Sequence, residues 1–309
     1  MGMMRSVLLW GSRSAALREV LPRFGFVRKA VTRFMPGEDV EDALVAGEPL
    51  QANGIATVVT HLGENLVHES EANTVAQHYL EVLDRIEERG LDCQISLKLT
   101  QLGLDLSEEL CAAHLSKIVR RAKNLGNFVW IDMEGSNYVD RTLALFKSVR
   151  AECSNVGVCL QSYLYRTADD LEALLPLSPS IRLVKGAYAE PKHVAYRSKK
   201  SVDENFLVLA KRLLTAARSN HARVGIATHD QVLLQRIFQS ASEEGIPKEA
   251  YEIQMLYGIK REHQRRLASQ GFRVRVLISY GRYWFPWYMR RLAERPANVF
   301  FVLKNIFTR

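Results

Sequence analysis

The chain has 309 residues, of which 47% are hydrophobic and 25% charged, enough apolar material for a sizeable buried core. No apolar stretch approaches the roughly 18 residues that a membrane-spanning helix needs. The 18 glycines and 9 prolines exclude a collagen-like or low-complexity chain. The net charge is +8, and the four cysteines (Cys93, Cys111, Cys153 and Cys159) form no CxxC pair, so neither a disulfide framework nor a zinc knuckle is expected and a reducing interior is.

Most of the positive charge lies at the start. Residues 1–37 carry Arg5, Arg13, Arg18, Arg23, Arg28, Lys29 and Arg33 against the single acid Glu19, interleaved with apolar residues such as Leu8, Trp10, Leu17, Val20, Leu21 and Phe24. This reads as a helical arm, residues 1–53, that either packs on the outside of the core or rests on an anionic membrane surface. Nucleic acid is not an expected partner, because the arm holds no recognised motif and the rest of the chain is nearly balanced. Met1–Ser6 fits the loose myristoylation pattern, and the acid-poor start shares the composition of a transit peptide. Glu19 and the continuing helical pattern argue against the latter, and the run 7–10 is too short for a secretory signal.

From residue 54 onward, short β-rich apolar runs alternate with longer amphipathic stretches. Strands are expected at 54–61, 92–99, 128–134, 157–163, 181–186, 224–228, 251–256 and 272–279. Helices are expected between them, at 72–89, 108–125, 137–150, 203–218 and 231–244, with Ser107, Thr167 and Ser201 near helix starts as capping prefers. Such alternation indicates βαβ units and a parallel sheet. Eight units fit an α/β fold of the (β/α)8 TIM-barrel type over residues 54–309. A doubly wound open sheet would normally carry a GxGxxG turn after its first strand, where this chain reads HLGEN.

Barrel chemistry sits at the C-terminal ends of the strands. There the second strand carries Lys98, the third Asp132 and Glu134, the fourth Gln161 and Tyr163, the fifth Arg182, Lys185 and Tyr188, and the sixth ends in Thr228, His229 and Asp230. Buried ions cost several kcal/mol each unless paired or met by a ligand. The excess of cations in this layer points to an anionic ligand, a phosphate or a carboxylate. No metal site is expected, since HExxH is absent and the eight histidines lack ligand spacing. Near the C-terminus, Arg290 and Arg291 with Glu294 form either a solvated helix face or a guanidinium clamp for a carboxylate. From these residues alone, a Schiff-base lyase on Lys98 or Lys185 also stands open.

The stretches SLKLTQLGLD, VWIDMEGS, LQSYLYRT, IRLVKGAYAEP, GIATHD, EIQMLYGI and YGRYWFPWYMRRLAERPANV, in this order, closely resemble the proline dehydrogenases in their short monofunctional bacterial form. The resemblance runs from THLGEN (60–65) to the C-terminus, with residues 1–53 matching only as a variable helical arm. It implies a distorted barrel holding FAD, with the last helix over the mouth, and oxidation of L-proline to Δ1-pyrroline-5-carboxylate with electrons passing to a membrane quinone. With the basic arm, the expectation is a cytoplasmic, peripherally membrane-associated protein; a separate pyrroline-5-carboxylate dehydrogenase stands open as a partner.

Carried onto matching positions, Lys98, Arg290 and Arg291 would hold the proline carboxylate, Glu294 would pair with Arg290, and Asp132 would support Lys98. Arg182 and Gln161 would contact the flavin ring. Lys185, Gly186 and Ala187 would cradle the phosphate and ribose portion, and Thr228 and His229 would lie beside the adenosine end. Tyr188 and Leu256 would line the substrate pocket. One position departs from the family pattern: Leu277 stands where a tyrosine usually packs on the substrate ring. That departure implies weaker discrimination against ring-substituted analogues such as hydroxyproline, and it motivates a further alternative, a flavin- or amino-acid-binding module without turnover.

Overall fold

In the computed structural model, which describes residues 31–63, 66–219 and 222–284, each β-rich run is a strand of one sheet. The strands are β1 (Ala56–His61), β2 (Cys93–Leu97), β3 (Val129–Ile131), β4 (Val156–Gln161), β5 (Ser180–Val184), β6 (Arg223–Ala227), β7 (Tyr251–Leu256) and β8 (Arg273–Tyr280). All neighbours pair in parallel, and β8 returns to β1 to close the barrel in the order β1 to β8. The helices are α1 (Val40–Gln51), α2 (Glu69–Glu88), α3 (Glu108–Asn124), α4 (Val139–Glu152), α5 (Thr167–Leu174), α6 (Lys199–Arg218), α7 (Gln231–Glu243) and α8 (Arg261–Ser269).

Alternation along each strand divides the structure into two layers. Outward residues such as Val59, Ile95, Leu97, Val158, Leu183 and Ile278 meet the apolar stripes of the helices in one continuous core. On α2 that stripe is Ala72, Ala76, Tyr79, Val82, Leu83 and Ile86, the spacing of one helix face. Each fully buried aliphatic side chain contributes roughly 1.5–3 kcal/mol. Helix α1 packs against β1 and β8. The Gly47 backbone there lies so near Thr57 that a Cβ would sit 3.4 Å from its hydroxyl.

The caps differ in part from the expectation. Ser107 does cap α3, accepting a hydrogen bond from Leu110 N at 3.1 Å. Thr167 is instead the first residue of α5, and its hydroxyl donates back to Gln161 O at 2.6 Å. Ser201 lies inside α6, whose cap is Ser198, accepting from Ser201 N at 2.9 Å. On α6 an earlier serine took the role, while α5 starts after Arg166, which makes no side-chain cap.

The barrel interior is more polar than its helix-facing shell. At the N-terminal end, Arg275 and Glu252 are paired at 3.1 Å, Gln254 donates to Glu252 at 2.7 Å, and Arg275 also reaches Thr57 O at 2.7 Å. Above this floor Val58, Phe128 and Trp130 pack together, with Leu277 against them.

Candidate functional site

Every second residue on the central strands faces the barrel axis, and these positions converge. Ser96 on β2, Trp130 on β3 with Asp132 just past its end, Gly157, Cys159 and Gln161 on β4, and Arg182 on β5 meet inside one wall of the barrel. Arg182 lies in mid-strand, paired in register with Cys159 and Gly225, so it sits deeper than the strand-end layer in which the sequence placed it. It is 3% exposed. Its Nη1 donates to Asp132 Oδ1 at 2.9 Å and to Ser96 Oγ at 2.9 Å, and lies 3.7 Å from Cys159 Sγ. Ser96 Oγ is also within 2.9 Å of Asp132 Oδ1. Burial raises the Cys159 thiol to about 12, which keeps it protonated and unreactive.

Three buried polar atoms in this wall have no hydrogen-bond partner: Arg182 Nε, Arg182 Nη2 and Gln161 Oε1. A buried donor or acceptor left unmet costs about 1–3 kcal/mol. A ligand offering acceptors to the guanidinium and a donor to the amide would recover that cost.

Asp132 pairs with Arg182, because a buried guanidinium needs the nearest carboxylate to offset its lost hydration. Lys98 acts electrostatically on Glu134. Burial pushes the Glu134 carboxyl up, and Lys98, the Thr100 hydroxyl at 2.9 Å and the Thr100 N–H at 3.3 Å oppose that rise. Gln161 Nε2 donates to the Glu134 carbonyl at 3.1 Å, which ties β4 to the segment after β3.

Past the end of β5 the chain turns through Lys185, Gly186, Ala187 and Tyr188. Lys185 Nζ contacts Asp203 Oδ1 on α6 at 2.5 Å and Asp230 Oδ2 at 3.1 Å, and Lys199 joins the same two carboxylates. Asp230 caps α7 through Leu233 N at 3.3 Å. Burial alone would raise its carboxyl, but Lys199 and Lys185 outweigh it and hold the group below the usual carboxylate range. Gly186 has φ +110°, and a Cβ there would run into the Tyr163 ring. No other residue fits so close a crossing. The segment is fastened by Glu190, whose Oε1 accepts from Ser136 N at 2.8 Å and from Tyr163 OH at 3.3 Å, while Oε2 accepts from Ser136 Oγ at 2.5 Å.

The remaining expected residues lie around the same rim. Thr228 is buried and accepts from Asp230 N at 3.2 Å. Leu256 N donates to His229 Nε2 at 3.3 Å, linking the ends of β6 and β7. Leu256 and Leu277 pair directly in the β7–β8 register, so they are adjacent on the inner wall. Tyr188 is half-buried next to Tyr163. Arg290, Arg291 and Glu294 lie outside the described residues, as does the arm up to residue 30.

Several contributors were not singled out from the sequence. Ser96 and Trp130 stand two residues before Lys98 and Asp132, so strand alternation alone would have placed them on the inner face. Glu190 and Ser136 are 54 residues apart, and nothing local signals their contact. Among the described residues no group of three or more His, Cys, Asp or Glu side chains could hold a metal ion, and no helix is long and apolar enough to cross a membrane.

The family profile described as "Proline dehydrogenase" matches residues 43–304. "Proline dehydrogenase 1" of Bacillus subtilis (strain 168) is 40% identical over 304 residues, covering 98% of this chain and 99% of that protein. "Proline dehydrogenase" of Deinococcus radiodurans is 37% identical over 279 residues, 89% of each chain. Among solved structures, proline utilization A from Bdellovibrio bacteriovorus, inactivated by N-propargylglycine, superposes with a TM-score of 0.82 at 24% identity, over 94% of this chain and 36% of that one. This chain therefore spans about a third of the length of that larger protein, with which it shares the barrel fold. With a closed eight-stranded parallel barrel and two near-full-length relatives named for the same activity, the chain belongs to the proline dehydrogenase family.

Proposed function

We propose that the chain oxidises L-proline to Δ1-pyrroline-5-carboxylate with FAD as its cofactor and passes the electrons to a membrane quinone. The observation that carries this reading is that Arg182 and Gln161, on neighbouring strands of the barrel wall, hold three buried hydrogen-bonding atoms left unmet among the described residues. A flavin ring edge offers acceptors for a guanidinium and an N–H for an amide oxygen, so the residues present fit the group. FAD, when bound, supplies a two-electron acceptor for the hydride from proline C5.

The chain's own residues do the rest. Lys98, with Arg290 and Arg291, would hold the substrate carboxylate, a charge-assisted grip that orients the small ring. Glu294 would pair with Arg290 and keep its fork in place. Leu256, Leu277 and Tyr188 would wall the ring and exclude water. Arg182 would place positive charge beside the reduced cofactor, and Asp132 holds that guanidinium at 2.9 Å. Lys185, already seated between Asp203 and Asp230, would carry the phosphate portion with Gly186 and Ala187, with Thr228 and His229 at the adenosine end. The substrate gives up a hydride from C5 and a proton from its nitrogen, which leaves the C=N bond of the product.

The basic arm, with seven cations against one acid in residues 1–37, suits a cytoplasmic protein that docks on an anionic bilayer where a quinone resides. Product would pass to a separate pyrroline-5-carboxylate dehydrogenase. The test is anaerobic: purified protein carries the yellow flavin spectrum and bleaches on adding L-proline. Proline binding without bleaching rejects the reading in favour of a binding module, and borohydride trapping of substrate on Lys98 or Lys185 in flavin-free protein favours a lyase.

A further inference from the structure

Trp130 lies in the barrel interior with two arginines within reach of its ring. The guanidinium carbon of Arg182 is 4.7 Å from its ring centroid, and that of Arg223 is 5.4 Å away. The ring is fully buried, and its Nε1 donates to Gln94 Oε1 at 2.9 Å, which fixes its orientation. Gly157 makes the room: a Cβ there would sit 2.6–2.7 Å from the indole carbons and 2.9 Å from Ser180 O. A pinned indole face against a nearly inaccessible guanidinium is a desolvated cation–π contact, the strong form of that interaction.

Arg182 is held at two places. Asp132, Ser96 and Cys159 take only Nη1. That leaves the guanidinium free to rotate about this one anchored nitrogen unless a face constrains it. The indole, 4.7 Å from the guanidinium carbon, is that face, and Nε and Nη2 meet no hydrogen-bond partner beside it.

We propose that Trp130 is a positioning residue: it holds the plane of Arg182 so that Nε–H and Nη2–H are presented together to an acceptor-bearing ligand. The identity of that ligand as flavin rests on the function proposed above, whereas the Trp130–Arg182 coupling does not. Arg223, which also lies 4.2 Å from the Phe128 ring and pairs with Glu252 at 3.9 Å, adds a second cation beside the indole.

The test is a double-mutant cycle on the full-length chain with W130L, R182K and the pair, reading FAD affinity by titration of cofactor-stripped protein, with W130F as the conservative variant. Non-additivity is the signature: W130L weakens FAD about tenfold when Arg182 is present, the size of a desolvated cation–π contact, and by less than about twofold in the R182K background. W130F, which keeps an aromatic face, stays within about threefold of wild type.

A second reading needs no cofactor. The Arg182 Nε–H resonance in 15N-arginine spectra of stripped protein shifts in W130L and keeps a ring-current displacement in W130F. An equal loss from W130L in both backgrounds, or an Nε–H signal indifferent to the indole, overturns the proposal. Where W130L does not fold, the W130F–R182K cycle and the same resonance decide it. If wild-type protein fails to bind FAD while the resonance behaves as expected, the positioning role stands and the flavin reading falls.

Discussion

Arg182 Nη1 and Asp132 Oδ1 are 2.9 Å apart in the barrel interior, and the arginine is 3% exposed. Its other two nitrogens have no hydrogen-bond partner among the described residues. The carboxylate is thus a charge partner to a group that still has hydrogen bonds to offer.

Removing that partner should be costly. Asp132→Ala leaves a buried guanidinium uncompensated, a loss of about 3–5 kcal/mol. Ser96→Ala removes a hydroxyl bonded to both ions of the pair, which stay paired, and should cost about 1.5–3 kcal/mol. Urea melts of both variants check the ranking. A loss in Asp132→Ala no larger than in Ser96→Ala would show that the pair contributes little.

The segment Lys185–Tyr188 depends on a fastening outside it. Glu190→Gln keeps the side-chain shape but loses the charge that Ser136 N, Ser136 Oγ and Tyr163 OH converge on. Stability should fall by about 1.5–3 kcal/mol, the range for hydrogen bonds to a charged group. Cofactor affinity should fall with it, and limited proteolysis should cut first between residues 186 and 196. Cleavage elsewhere first would place the weak point outside this segment.

Leu277 sets a wall of the substrate pocket in the proposed function, paired with Leu256 and leaning on the cluster of Val58, Phe128 and Trp130. In Leu277→Tyr, kcat/KM for proline relative to hydroxyproline should rise roughly tenfold, the low end of what one pocket contact discriminates. Steady-state kinetics with both substrates measure this, and an unchanged ratio rejects the role.

His61 predicts the acid limb of stability. Burial, and then the neighbouring His78, lowers its pKa from 6.5 to about 4. The folded state therefore resists a proton that the unfolded chain accepts. Stability is present above about pH 6.5 and is lost as pH falls toward 4, by up to roughly 3 kcal/mol. His61→Gln should flatten the change in denaturation midpoint between pH 7 and pH 4.5. A slope equal to wild type would assign the acid limb to other groups.

The order of strands and helices was legible because it is a local property. Period-two apolar runs and 3.6-period stripes mark every strand and five of the eight described helices within a few residues, and β7 (Tyr251–Leu256) ran to the same ends as expected, whereas α1, α5 and α8 had no expected range of their own. Lys98, Asp132, Gln161 and Lys185 were legible for a related reason: in a parallel barrel the strand ends share one rim, so chemistry-bearing residues at the ends of successive runs must gather there. The sequence by itself therefore determined the fold class and several of the polar residues that gather at the strand ends. Only the tertiary structure decided which of them pair. Asp132 paired with Arg182, Glu190 reached Ser136 across 54 residues, and Trp130 came to lie against Arg182. Those choices depend on depth along the barrel axis and on the stagger between strands. Neither is written in any single run of residues, because desolvation and register are properties of the closed sheet.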